Sequence, residues 1–169
     1  MTYVFDVVRT TRAVRQFRDA SLPEDVVRQI LEAGRLSGSA KNSQPWHFIA
    51  VQDRETLRAL STCGAYAGHL AGAALGIALA TEDPFVRLTV PFDLGRASQN
   101  MMITAWSLGV GSVVATLYQP DRAREILQVP AAFTIPWCIS FGYPVQEVDR
   151  PPRRGGRRPR EEVIHWERW

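Results

Sequence analysis

Cysteine is scarce in this chain: Cys63 and Cys138 are the two in 169 residues, and they stand alone, with neither CxxC spacing nor an even framework. That excludes a disulfide-stapled scaffold and fits a reducing compartment. Both read as core residues, with a reactive thiol as the minor alternative. Histidine is as sparse, and His47, His69 and His165 show neither HExxH spacing nor a cysteine beside them, which argues against a zinc site. No apolar run reaches the length of about eighteen residues that a membrane span needs, and the N-terminus has no charged-then-apolar leader. The expectation is a soluble, cytoplasmic protein. There is no GxSxG elbow and no P-loop, and no two carboxylates stand out as an acid and base pair.

What is present is a hydrophobic content of 46% in a chain long enough for one domain with a real core and too short for two comfortable ones. The net charge of +3 is a property of one segment. Residues 150–160 hold six arginines and no acid, so the rest of the chain sums to −3. A nucleic-acid face would spread its basic residues over a folded surface and interleave them with aromatics, and that pattern is missing. An Arg/Pro/Gly stretch of this kind buries no core of its own. Val163, Ile164, Trp166 and Trp169 after it are nonetheless apolar enough to dock on something.

The richest polar constellation is the run Gly38-Ser39-Ala40-Lys41-Asn42-Ser43-Gln44-Pro45-Trp46, which leads into the strand-like His47–Val51. Ser39, Asn42 and Gln44 each donate and accept hydrogen bonds, a set suited to a flat heteroaromatic ligand with ring nitrogens and carbonyls. Pro45 stiffens the exit and Trp46 brings a large apolar body. The same residue types also make an ordinary solvated loop before an edge strand. Upstream, Arg9, Arg12 and Arg15 recur at a spacing of three, which clusters guanidinium forks on one side of a helix or tight turn and suits a phosphate, or else makes a solvated basic turn.

Periodicity outlines the rest. Tyr3–Val8 reads as a short helix. Ser21-Leu22-Pro23-Glu24 reads as a capping box opening a helix with the apolar stripe Val26, Val27, Ile30, Leu31 and Gly34. Asp53 caps a helix to about Leu60. Leu70–Ala80 reads as a central strand buried on both faces, with a buried helix as the alternative. Thr81–Phe92 is a link in which Phe85 and Phe92 either line a rim or pack. Asp93–Leu108 is the strongest helix, with Leu94, Ala97, Met101, Ala105 and Leu108 on one stripe and Gly109 as its C-cap. Gly109-Val110-Gly111-Ser112 follows a helix and precedes a strand, the reverse of a dinucleotide fingerprint. A helix from Gln119–Asp121 to about Gln128 and a strand from Phe133 to Tyr143 complete the outline.

Four of these segments carry a resemblance. Ser39-Ala40-Lys41-Asn42-Ser43-Gln44-Pro45-Trp46 is similar to the Pro-Ser-x-x-Asn-x-Gln-Pro-Trp loop of the FMN-dependent nitroreductase family, with Gly38 in the place of the proline. Arg12-Ala13-Val14-Arg15-Gln16-Phe17, Asp93-Leu94-Gly95-Arg96-Ala97-Ser98-Gln99-Asn100-Met101-Met102 and Leu108–Ser112 match further elements in the family's order. With Glu161–Trp166 the similarity covers nearly the whole chain.

The resemblance implies an α+β fold: a mixed sheet of four to five strands sandwiched by helices, in a homodimer. Residues 1–149 would form the flavin-binding domain and 150–169 a basic extension swapped onto the partner's sheet, with the helix from Asp93 in the interface. It also implies FMN as cofactor and NAD(P)H as co-substrate, with ping-pong hydride transfer through flavin N5 to small aromatic acceptors such as nitroaromatics or quinones. Carried over residue by residue, Arg12 and Arg15 hold the phosphate and pyrimidine side. Arg15 stabilises the negative charge that reduction places near N1 and O2. Ser39, Ala40, Asn42 and Gln44 form the cofactor loop, the amides of about Thr116 and Leu117 meet N5 and O4, and Arg157 and Arg158 reach the phosphate.

Thr11 stands where an arginine is common and Ala13 where a phosphate-binding serine is common. Near the pyrimidine edge, where relatives carry a basic residue, this chain offers Tyr66 and His69. These departures leave open a second class, a flavin-binding or partner-binding module without turnover. A third, weaker class is a nucleic-acid binder using the arginine-rich segment.

Overall fold

The computed structural model describes residues 3–145 and 156–169. Four strands, β1 (His47–Val51), β2 (Leu75–Thr81), β3 (Gly111–Thr116) and β4 (Thr134–Gly142), form one sheet in the order β1-β2-β4-β3. Five helices surround it: α1 (Val4–Thr10), α2 (Glu24–Arg35), α3 (Arg54–Ser61), α4 (Thr89–Ser107) and α5 (Pro120–Ile126). The fold is α+β, as the resemblance implies. The expected mixed sheet is corrected: every pairing among these strands is antiparallel, and the parallel contact is the isolated bridge from Ala13 to Ser112 beyond the β3 edge.

The alternation of side chains in β2 explains the layers. Leu75, Ile77 and Leu79 point to a cluster with Ile30 of α2 and Leu94, Ala97 and Met101 of α4. Ala78 and Ala80 point to the opposite cluster, with Leu57 and Leu60 of α3, Leu70, and Ala123 of α5. Gly76 on that second face is required by close approach, since a Cβ there would lie 2.7 Å from Leu57 Cδ2. Cys63 and Cys138 are buried in this cluster as expected. Burial raises both thiols, Cys138 to about 12, which makes them inert packing groups.

Three local expectations are corrected. The strand read from Leu70 begins at Leu75, and Gly68–Gly72 is a 3-10 turn instead. β4 offers β2 no partner beyond the Leu75–Phe141 pair and the bond from Ala74 N–H to the Phe141 carbonyl. The capping box does not form: α2 starts at Glu24 with Pro23 at its N-cap and no side-chain bond there, because Ser21 lies too early. α4 starts at Thr89, four residues before Asp93, so the link read from Thr81 to Phe92 ends at Leu88. Asp53 does cap α3, accepting from the Thr56 N–H, and Gly109 ends α4 with φ +76°.

Among the described residues no helix is long and apolar enough to cross a membrane. The proposed boundary at 149/150 lies outside the described residues. From Gly156 to Trp169 every residue is exposed; the segment holds one 3-10 turn, Arg160–Glu162, and His165 stacks on Trp169.

Candidate functional site

The loop between α2 and β1 is braced by hydrogen bonds of its own. Asn42 N–H bonds the Ser39 carbonyl, Ser43 N–H bonds the Ala40 carbonyl, and Ser39 Oγ accepts from the Gln44 N–H at 2.9 Å. Lys41, Asn42 and Gln44 all lie in the left-handed region, with φ of 54°, 54° and 46°. Such backbone costs free energy for residues with a Cβ and persists only where the surroundings impose it. The Asn42 side chain is exposed and makes no hydrogen bond of its own within the described residues.

What imposes it is α4. Asp93, Arg96 and Asn100, at i, i+3 and i+7, share one helix face, and the first and last of them bond the segment. Asp93 Oδ2, on a residue only 1% exposed, accepts the Ala40 N–H at 2.9 Å. Asn100 Nδ2 donates to Ser37 Oγ at 2.7 Å. Arg96 pairs with Asp93 at 3.7 Å and stacks over Phe92. The Arg96 guanidinium lies over Gly38, the departure from the proline of the similar loop, where a Cβ would meet its Nη2 at 2.7 Å. Sequence reasoning missed this polar stripe because it read α4 for its apolar period, although the spacing of 93, 96 and 100 was the available signal. The Ala40 N–H, committed to Asp93, has no donor left for a cofactor.

A second group lies elsewhere. Residues 13–17 bridge to Ser112 and Pro144 and wrap the end of the sheet where β3 begins and β4 finishes. The three arginines do not share a helical face: Arg9 is in α1, Arg12 and Arg15 are on extended chain. Arg12 Nη1 folds back onto the carbonyls of Arg9 and Thr11, whereas Arg15 is exposed and makes no hydrogen bond or ion pair among the described residues. Beside it is His69. Its Nδ1 lies 2.7 Å from Ser140 Oγ on β4, and burial, then the Arg15 charge, push the imidazole down to about 4. Thr116, at the far end of the β3 edge, is exposed. Leu117 is corrected: its N–H donates to the Pro136 carbonyl at 2.9 Å and its side chain is buried, so this amide is not free for a flavin. Arg157 and Arg158 are exposed.

The two groups do not meet within one chain. The polar loop enters β1 at one edge of the sheet, while Arg12 and Arg15 lie past β3 at the other edge and the other end. At about 4.8 Å per strand and about 3.4 Å per residue, that is a separation on the order of 20 Å.

This arrangement matches known proteins over its whole length. The model of the Nitroreductase family matches residues 8–67 and 62–143. The chain belongs to the nitroreductase family. A protein of Archaeoglobus fulgidus named NADH dehydrogenase/NAD(P)H nitroreductase is 30% identical over 172 residues, covering 96% of this chain and 97% of that one. An NADH dehydrogenase of Thermus thermophilus is 29% identical over 191 residues, covering 92% and 91%. Among solved structures, an NADH dehydrogenase/NAD(P)H nitroreductase of Parabacteroides distasonis superposes with a TM-score of 0.87 at 22% identity over the full length of both chains. An FMN-dependent nitroreductase of Clostridium difficile does so with 0.83 at 23%, covering 98% of this chain and 99% of that one. The nitroreductase-like fold is thereby shown, and membership of the family makes the chain an oxidoreductase.

Proposed function

We propose that this chain is an FMN-dependent NAD(P)H oxidoreductase acting as a homodimer on small aromatic acceptors. The observation that carries the reading is the loop at Ser39–Gln44, strained at three non-glycine positions and held by a buried carboxylate, with the Asn42 side chain exposed and making no hydrogen bond among the described residues. Strain kept at a polar, exposed loop points to binding rather than to packing. The names of the relatives add FMN and NAD(P)H to this, and the free amide of Asn42, the free guanidinium of Arg15 and the exposed Thr116 edge fit such a flat, anionic, hydrogen-bonding group.

FMN, when bound, supplies the hydride chemistry that links NAD(P)H to the acceptor. The chain's part is to bind and to polarise. Asn42 and Gln44 would hydrogen-bond the ring, Arg15 would place a fixed positive charge beside its pyrimidine side, and Arg157 and Arg158 would reach the phosphate. Because the loop and Arg15 lie on the order of 20 Å apart in one chain, one subunit's loop faces the other's arginine, giving two sites per dimer at the boundary. The residues from 150 onward act as an extension over the partner, and the two buried free thiols favour a cytoplasmic setting.

A purified dimer should be yellow, release FMN on denaturation and oxidise NAD(P)H with menadione or nitrofurazone. Asn42→Ala should weaken FMN binding by on the order of 1 kcal/mol, about fivefold, with the fold intact by circular dichroism. Unchanged affinity would remove Asn42 from the site. A second reading, a flavin binder without turnover, is favoured by Thr11, Ala13 and a neutral His69 where cationic groups are common. Flavin retained but inert to reduced nicotinamide would establish that reading instead.

A further inference from the structure

We propose that Arg96 is a specificity residue: its guanidinium receives an oxyanion, carboxylate or phosphate, carried by a substrate that enters beside the 39–44 loop. The inference deepens the functional reading and rests on that loop being the flavin loop. Arg9, Arg28, Arg35 and Arg124 each pair along their own helix with an acid whose side chain is at least half exposed. Pairs of that kind are solvated and hold little. Arg96 also pairs three residues back, but its acid is Asp93, whose side chain is 2% exposed and whose other oxygen accepts the Ala40 N–H. The anchor of this arginine is therefore the same carboxylate that supports the loop.

Three contacts set the guanidinium in place and leave its donors open. Nη1 lies 3.7 Å from Asp93 Oδ1, too far for a hydrogen bond, Nη2 lies over Gly38, and the central carbon is 5.8 Å from the Phe92 ring centre. Arg96 makes no hydrogen bond among the described residues, and its side chain is 46% exposed. A planar fork of N–H groups held this way matches two oxygens of a carboxylate or phosphate at once, whereas a neutral carbonyl engages one. The surrounding charge has the same sign. Residues 33–46 hold no acid, and Arg35 among them is bound to Glu32. That leaves Lys41, the chain's one lysine, exposed and without a hydrogen bond or ion pair among the described residues. It follows Ala40, the residue that Asp93 holds. Lys41 and Arg96 against Asp93 give the loop a positive excess that favours an anionic ligand. Two sources supply such an oxyanion: the 2′-phosphate that distinguishes NADPH from NADH, and a carboxylate on an aromatic acceptor.

The test uses the full-length protein with its flavin bound. Michaelis constants are measured for NADPH and NADH, and for 4-nitrobenzoate and 4-nitrobenzamide. Benzoate and benzamide, which carry no reducible nitro group, are titrated at equilibrium against the flavin absorption band. The wild type should favour the anionic member of a pair, the first pair assigning the nicotinamide phosphate and the others the carboxylate. Arg96→Met, which keeps the length that packs on Phe92, should weaken that member by about tenfold, the scale of a hydrogen bond to a charged group, and leave the neutral member unchanged. Arg96→Lys should restore part of the loss. The same anionic preference in Arg96→Met as in the wild type overturns the proposal. So does a variant that weakens FMN more than riboflavin, which gives the guanidinium to the cofactor, or one that splits the dimer, which gives it to the partner subunit. If Arg96→Met does not fold, the wild type decides alone: an anionic preference that shrinks as salt rises supports the proposal, and one that salt leaves unchanged overturns it. A wild type that turns over with FMN yet shows no anionic preference removes this inference alone. A wild type that holds no FMN removes the functional reading with it.

Discussion

Arg12 and Arg15 differ by three positions and have different fates. The first is drawn back to the end of α1, where its guanidinium caps the carbonyls of Arg9 and Thr11. The second is left free beside His69. The consequence for His69 is measurable without any ligand. Burial, with the Arg15 charge as the smaller cause, lowers its basicity from the ordinary 6.5 to about 4 in the native state. Between those values the unfolded chain takes up a proton that the native chain refuses, so the native state loses ground as pH falls. This contribution is absent above the ordinary value, grows as pH drops through the window and is complete below about 4. Urea midpoints of the apo protein should therefore fall across that window more steeply for the wild type than for His69→Gln. Equal slopes would show that the imidazole titrates freely.

At the scale of elements, α4 does two jobs with two faces. Leu94, Ala97, Met101 and Ala105 pack on the sheet, while Asp93 and Asn100 hold the α2–β1 loop and Arg96 pairs with Asp93. Asp93→Ala leaves the Ala40 N–H unpaired and removes the ion pair of the half-exposed Arg96. The loop should loosen, and FMN affinity should drop by the equivalent of about 1 to 3 kcal/mol. Asp93→Asn keeps an acceptor at the same place and should retain most of the affinity. If both variants lose equally, charge rather than the hydrogen bond holds the loop.

The apolar half of this helix was legible in the sequence because its period is carried by consecutive turns. So were β1, the Asp53 cap and β4. The polar half was hidden, since its partners lie some 50 to 60 positions away and no local pattern announces them. The start of β2 was misread for a related reason: small apolar residues suit a buried strand and a buried turn alike, and the partner strand decides between them. The site showed the same division. The loop residues stood out by type, whereas the contact between His69 and Ser140 and the engagement of Leu117 N–H by Pro136 exist only in three dimensions.

For the whole molecule the informative residues are the large apolar ones left in water. Phe5, Leu88, Phe92, Ile164, Trp166 and Trp169 are all at least half exposed. Deleting everything from Arg150 onward should lose flavin and weaken the dimer together, as seen by flavin retention and by sedimentation. A merely solvated segment would leave both unchanged. The double change Arg157→Ala, Arg158→Ala separates the effects: the dimer should persist while FMN binding weakens more than riboflavin binding, because only FMN carries a phosphate. Equal losses for the two ligands would withdraw both arginines from the phosphate. The gap on the order of 20 Å between the loop and Arg15 carries one more consequence, in mass action. A ligand whose contacts come from two chains binds the pair and not the single chain, so its occupancy depends on how concentrated the protein is. Dilution through the association constant should bleach the protein of its flavin, and added FMN should draw the chains back together.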